Sequence, residues 1–276
     1  MAWRGRTPET SLAFRRLVLS DVEGLGASAD PQERRVTARE GRRRSAARRL
    51  VHVRPLEFFM REAVIVSVAR TPIGRAFRGA FNDTEAPALS GHVAAEAVRR
   101  AGVEPGRIED VIVASAAQQG TQGYNIGRLT AAAAGFPASV AGMAIDRMCA
   151  GGLMAVAAAA KQIVVDGMDV VVAGGVESIS LTQNKHKNAY RARSETVLAQ
   201  SPHMYMQMIE TAEIVSRKYG VSREAQDEYS AQSQQRTAAA YQAGRFRDEL
   251  APLATRKIVV DKATNETRVE DVTLTE

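Results

Sequence analysis

Between residues 63 and 177, strand-length apolar runs alternate with segments of helical spacing, and few folds accept that alternation. Residues 63–68 are a short β-branched run, 111–114 and 170–173 are apolar throughout, and 140–145 reads as a further strand. Between them, residues 86–101 place Leu89, Val93, Ala97 and Val98 at helical spacing and stop at Gly102; 126–134 and 149–165 read as alanine-rich helices. Strands separated by helices predict a layered α/β domain with a mostly parallel sheet. Strands this continuous in apolar residues belong in a sheet covered on both faces, because successive side chains point to opposite sides.

After Glu177 the texture changes. Residues 178–204 are polar and read as an extended loop. A helix is expected over 204–218. Another starts after Ser222, an N-cap by residue type with Glu224 and Asp227 near its start, and runs to a stop at Gly244. Residues 258–274 suggest a hairpin around Asn265. The chain divides in this reading into an Arg-rich extension (1–59), a core domain (60–177) and a helical loop domain (178–276) that leans on the core.

Hydrophobic residues make up 45% of the 276-residue chain and charged residues 25%, as in a soluble globular protein. One cysteine excludes an internal disulfide and suits a reducing cytoplasm. No apolar stretch reaches the length of a membrane span in this reading: the longest uncharged run, 129–145, is rich in Ala and Gly and broken by Pro137. The net charge of +6 points at nucleic acid only until it is located. Residues 1–59 hold 13 Arg, no Lys and seven Asp or Glu, so the whole excess lies there and residues 60–276 are neutral. A neutral body poor in aromatics argues against a nucleic-acid groove. The extension itself reads as disordered. Its seven acids count against a transit peptide; a basic arm for nucleic acid and a translation start at Met60 stay open, and the ordered pattern that begins at Met60 favours the latter.

The lone thiol, Cys149, stands where a strand hands over to a helix, in Asp146-Arg147-Met148-Cys149-Ala150-Gly151-Gly152. On the first turn of a buried helix, free N–H groups and the positive end of the helix dipole would favour a thiolate, which is the nucleophilic form. Gly151 and Gly152 each cost roughly 1 kcal/mol of helix propensity, which suggests a close approach by backbone or ligand. The bland alternative is a small buried hydrophobe. No metal-ligand spacing is present. Gly174 and Gly175 read as strand-ending glycines that need special backbone angles.

Several separated segments share one resemblance. Arg70-Thr71-Pro72-Ile73-Gly74, Asn125-Ile126-Gly127-Arg128, Cys149-Ala150-Gly151-Gly152-Leu153, Gly174-Gly175-Val176-Glu177-Ser178, Tyr219-Gly220-Val221-Ser222-Arg223-Glu224, Ser233-Gln234-Gln235-Arg236 and Gly244-Arg245-Phe246 occur in the order and spacing of the N-terminal half of a thiolase, an acetyl-CoA acyltransferase. The resemblance covers residues 60–276. Three positions depart from it: Asp146 where thiolases often carry Asn, Gly151 where they carry Ser or Thr, and Ile209 where they usually carry Gly. A carboxylate at Asp146 would oppose thiolate formation.

The resemblance implies an α/β thiolase-like core with a truncated helical loop domain. It implies Cys149 as the acyl-thioester nucleophile, its backbone N–H in an oxyanion hole, and Met208 and Ser233 beside the coenzyme A moiety. The substrate would be a 3-oxoacyl-CoA, cleaved in fatty-acid β-oxidation or formed by the reverse Claisen condensation. Coenzyme A is a substrate, and no metal or cofactor is required. The family implies a homo-oligomer, with no nucleic acid and no membrane partner. The activating histidine, a second cysteine and an oxyanion-hole asparagine would lie in a second half, and the chain is expected to stop before the last strand of the core domain. Of four histidines, His52 lies in the extension, His92 on an early helix, and His186 and His203 in the loop region, where they could meet the coenzyme. The alternative is a non-catalytic acyl-CoA-binding or subunit-interaction module.

Overall fold

The computed structural model describes residues 2–6, 61–261 and 263–276, the first group as backbone only. The chain divides into two compact units, residues 1–5 with 63–276, and residues 6–62. The second unit lies outside the described residues except at its ends, as do the expected disorder over 7–59 and the expected start at Met60. At residues 2–6 the structure departs from a disordered extension: Ala2–Arg6 is a strand, β1. The expected boundary at 177/178 does not separate units.

The core is a five-stranded sheet of β1, β2 (Glu62–Ser67), β3 (Asp110–Ala114), β4 (Ala141–Ile145) and β5 (Val170–Gly175), in the order β2-β1-β5-β3-β4. β3 pairs parallel with both β4 and β5, the expected arrangement, while β1 lies antiparallel on β5. Alternation explains the continuous apolar runs. Val111, Val113, Val170 and Val172 face one cluster, with Ala94, Val98, Ile126 and Ala131 from helices α1 (Ala86–Ala101) and α2 (Ile126–Ala133). Ile112, Ala114, Val171 and Ala173 face the other, with Ala155, Ala159 and Ile163 of α3 (Gly151–Lys161) and the π-helical turn Gln162–Asp166 that extends it. Each strand thus feeds two cores, which leaves no place for a polar residue in 111–114 or 170–173; the buried Asp110 at the start of β3 is met by its own hydrogen bonds, from Val111 N–H and Gln162 Nε2.

Helix ends follow local chemistry. Asn125 accepts from Arg128 N–H to cap α2, and Gly102 takes the left-handed conformation that stops α1. α2 lies directly on β4: a Cβ on Gly127 would sit 2.3 Å from the Met143 carbonyl oxygen, and one on Gly142 2.3 Å from the Arg128 nitrogen. Ser90 and Thr130 hydroxyls share a 2.6 Å hydrogen bond where α1 meets α2.

The helical stretch Met148–Asp166 is 19 residues long and, by length and composition, apolar enough to cross a membrane. The expectation that no stretch had this length is therefore corrected: Lys161 interrupts the apolar run without ending the helical stretch. Ala155, Ala159 and Ile163 are buried against β3 and β5, so the helix is a layer of the α/β unit on one side. Its other side is open, with Leu153 75% and Val165 78% exposed.

After β5 come α4 (Ile179–Thr182) and α5 (Glu195–Gln200), two short helices inside the expected loop. α6 (Met208–Tyr219) and α7 (Arg223–Gln242) follow, the latter capped by Ser222 accepting from Ala225 N–H. β6 (Leu253–Val260) and β7 (Thr267–Leu274) form an antiparallel hairpin, with Asn265 left-handed in the connection. The return from α7 is tied to the core through arginines. Arg70 pairs with Glu249 at 2.8 Å, and Arg100 donates to the carbonyls of Val68, Asp248 and Leu250. These ties are why residues 178–276 do not part from the core.

Arg100 is aimed by Glu96, which accepts at 2.7 Å from both Arg99 and Arg100. Hydrogen bonds from Arg99 first, then Arg100, pull the Glu96 carboxyl from 4.5 to about 2. A folded-state value below the unfolded one gives stability that is present above pH 4.5 and lost as pH falls through about 2. Urea midpoints of Glu96→Gln should therefore fall less steeply than wild type over that window; identical slopes would remove Glu96 as a contributor.

Candidate active site

β4 ends at Ile145, and a 3-10 turn, Met148–Ala150, carries Cys149 into α3. Asp146 Oδ1 accepts from the Met148 N–H at 2.7 Å, and Met148 takes a left-handed conformation with φ 49°. A residue with a Cβ pays roughly 1–2 kcal/mol for that conformation, and the Asp146 hydrogen bond helps to hold it. The carboxylate that was expected to oppose the thiolate thus also has a structural task in the turn. Cys149 is exposed. It stands in the turn ahead of α3 rather than on the first turn of a buried helix, and it is not the buried hydrophobe of the bland alternative.

Close approach accounts for Gly151. A Cβ on Gly151 would meet the Ala114 Cβ at 2.8 Å, so α3 begins hard against the end of β3. Gly175 lies with its absent Cβ 3.4 Å from both the Ala114 oxygen and the Gly152 Cα. Neither Gly174 nor Gly175 has a positive φ, and a Cβ on either would meet nothing closer than 3.4 Å, so the expected need for special backbone angles is not found at either position.

A cavity of about 730 Å³ lies against the start of α3, its walls on this side beginning at Gly152 and not including Cys149, a size that suits small-molecule and cofactor sites. Gly152 and Leu153 of α3, Gly174 at the end of β5 and Val176 just after it, and Arg70 and Ile73 after β2 are among its walls. The loop after β2 is pinned there by Phe77 N–H donating to Ser180 Oγ at 2.8 Å.

One wall rests on a buried amide that sequence reasoning missed. The two N–H groups of the fully buried Gln122 amide are shared among Ser115 Oγ at 2.7 Å, the Ala117 carbonyl at 2.9 Å and Glu177 Oε1 at 2.7 Å, and its oxygen accepts from Ser178 N–H. Glu177 Oε2 accepts from Ala116 N–H at 3.0 Å. This joins the loop after β3 to the loop after β5, the two segments that flank Gly151 and Gly152. The signal was faint: a glutamine between Gly120 and Gly123 looks like any loop residue. Gln122→Leu, which leaves these groups unpaired, should lower stability by about 2–3 kcal/mol; a denaturation midpoint within error of wild type would contradict this.

Met208 is the first residue of α6 and 77% exposed. Ser233 is exposed in α7, its carbonyl accepting from Thr237 Oγ1 at 3.0 Å. Among the described residues no hydrogen bond joins either to the Cys149 turn. His186 is exposed, with its N–H on Asn184 Oδ1; His203 is exposed; His92 is half-buried; and His52 lies outside the described residues. Among the described residues no three His, Cys, Asp or Glu side chains are grouped to hold a metal ion.

The family model described as thiolase, N-terminal domain, matches residues 63–275. The chain belongs to the thiolase family. It is 40% identical over 195 residues to a 3-ketoacyl-CoA thiolase of Bacillus subtilis, covering 70% of this chain and 49% of the relative. It is 37% identical over 204 residues to an acetyl-CoA acetyltransferase of Cupriavidus necator, covering 70% and 51%. The crystal structure of the Bacillus anthracis acetyl-CoA acetyltransferase superposes with a TM-score of 0.61 at 33% identity, over 77% of this thiolase chain and 54% of that one. The chain spans about half the length of these relatives.

Proposed function

We propose that this chain supplies the nucleophilic half of a thiolase-type acyltransferase acting on 3-oxoacyl-CoA. The observation that carries the reading is Cys149: the one thiol of the chain, exposed in the turn ahead of α3, three residues before Gly152, which walls a cavity of about 730 Å³. Its sulfur attacks the keto carbon, the bond between C2 and C3 breaks, and acetyl-CoA leaves after its carbanion takes a proton. A second CoA thiol then attacks the acyl-Cys149 thioester, releasing the shortened acyl-CoA and restoring the thiol. Sulfur suits both steps because it is a good nucleophile and a good leaving group. Negative charge on the substrate oxygen is met by preplaced donors, among them the Cys149 N–H, with further groups from outside this chain.

Coenzyme A enters as a substrate along residues 178–250, with Met208 and Ser233 at its binding face. The direction is degradative, in β-oxidation, and the setting cytoplasmic, in a homo-oligomer. That the cavity walls do not include Cys149 favours one second reading, an acyl-CoA-binding or subunit-interaction module without turnover. Intact-mass measurement after incubation with a 3-oxoacyl-CoA separates the two. An acyl adduct on Cys149 supports acyl transfer; no adduct, with Cys149 still alkylated by iodoacetamide, supports the module.

A further inference from the structure

The turn that carries Cys149 is held from two sides. Ahead of the thiol, Met148 keeps φ at 49°, a conformation that a residue with a Cβ disfavours. Met148 is 68% exposed, so little of this chain packs against it, and its N–H donates to Asp146 Oδ1 at 2.7 Å. Behind the thiol, Ala150 N–H donates to the Arg147 carbonyl at 3.1 Å and Gly151 N–H to the Met148 carbonyl. Gly151 is seated on the end of β3, where a Cβ would lie 2.8 Å from the Ala114 Cβ. Three of the four N–H groups from Met148 to Gly151 thus have an acceptor. Among the described residues nothing accepts from the fourth, the N–H of Cys149 itself.

We propose that Asp146 is the positioning residue for the nucleophile: by holding Met148 left-handed, its side-chain oxygen sets the backbone of Cys149 so that thiol and free N–H meet one substrate carbonyl together. The consequence rests on the acyl-transfer reading; the cause rests on the turn alone. Capture of an acyl group asks two things of one residue, sulfur at the carbonyl carbon and a donor at its oxygen. Both groups hang on the Cys149 backbone, and the peptide that leads into it is turned by φ and ψ of Met148. A short acceptor two residues ahead of an N–H is the local bond that Asp and Asn make and that Ala cannot. Without it, Met148 returns to the right-handed or extended regions that its Cβ favours, and Cys149 swings while Gly151 stays on Ala114. A misplacement of about 1 Å at reacting atoms costs about a hundredfold in rate.

Three measurements on the full chain separate cause from consequence. Asp146→Ala should raise hydrogen exchange at the Met148 amide by about tenfold or more. It should slow acylation of Cys149 by a saturating 3-oxoacyl-CoA by roughly ten- to a hundredfold. Alkylation by iodoacetamide should stay within about threefold of wild type, because a small reagent needs an accessible thiol and not an aimed one. Asp146→Asn keeps an acceptor oxygen at the same place and should bring acylation back to within about threefold of wild type. Adding Met148→Gly to Asp146→Ala should also recover most of the loss, because glycine takes a positive φ without the Cβ penalty and does not need the hydrogen bond. Acylation as fast in Asp146→Ala as in wild type overturns the positioning role. Equal slowing of acylation and alkylation does so too, and so does a double variant as slow as Asp146→Ala. A wild-type chain that forms no adduct overturns the acyl-transfer reading instead. Exchange at Met148 then decides the turn: raised in Asp146→Ala it upholds the hold on Met148, and unchanged it removes it.

Discussion

Cys149→Ala is expected to abolish acyl capture from 3-oxoacyl-CoA while leaving the fold intact. The chain has no second cysteine, so no neighbouring thiol can substitute. Removing the nucleophile from a covalent mechanism costs several orders of magnitude in rate, with the subtilisin triad as the measured guide at about a millionfold; here a loss beyond about a thousandfold is expected. The side chain is exposed, and surface substitutions change stability by no more than about 0.5 kcal/mol. The chemical and structural effects therefore separate: the adduct disappears and the urea midpoint stays. An adduct that persists in Cys149→Ala would move the nucleophile to another residue. A collapse in stability with no adduct in either protein would make Cys149 a packing residue.

The readable and unreadable parts of this chain differ for a physical reason. Residues 111–114 of β3 and 170–173 of β5 could be read because each alternating face meets its own helix layer, so these positions are apolar and the runs uninterrupted. Gly102 and Ser222 could be read because a cap is a local event within a few residues. Gln122 could not, because its partners Glu177 and Ser178 are 55 and 56 positions away and only the fold brings them together. β1 escaped for a related reason: Ala-Trp-Arg-Gly-Arg has no apolar run, and what makes it a strand is the edge of β5. α4 and α5 are too short to leave a periodic trace. Sequence treats the two glycines that open α3 alike, as signs of close approach, and the structure separates them. Gly151 is pressed on Ala114, whereas the side of Gly152 that would carry a Cβ faces open space.

That separation sets up the second large effect, in which one kind of substitution, Gly→Ala, changes sign with position. At Gly127 the new Cβ would lie 2.3 Å from the Met143 oxygen, 2.4 Å from the Val111 oxygen and 2.7 Å from the Met143 nitrogen. All three are backbone atoms of paired strands, so no side chain can swing away. α2 must lift off β3 and β4, pulling Ile126 and Ala131 from their cluster. Overpacking typically costs 1–3 kcal/mol, and lost burial adds to it, so Gly127→Ala should cost about 3–5 kcal/mol, a large share of the 5–15 kcal/mol that holds an ordinary domain together. At Gly152, a helical position with nothing within 4 Å of the added atom, the same change removes backbone freedom from the unfolded chain and should stabilise by about 0.4–1 kcal/mol. Urea denaturation of the two variants side by side reads both signs. Equal midpoints would mean that α2 does not rest on the strand backbones, and the contact that sets its distance from β4 would have to be sought elsewhere.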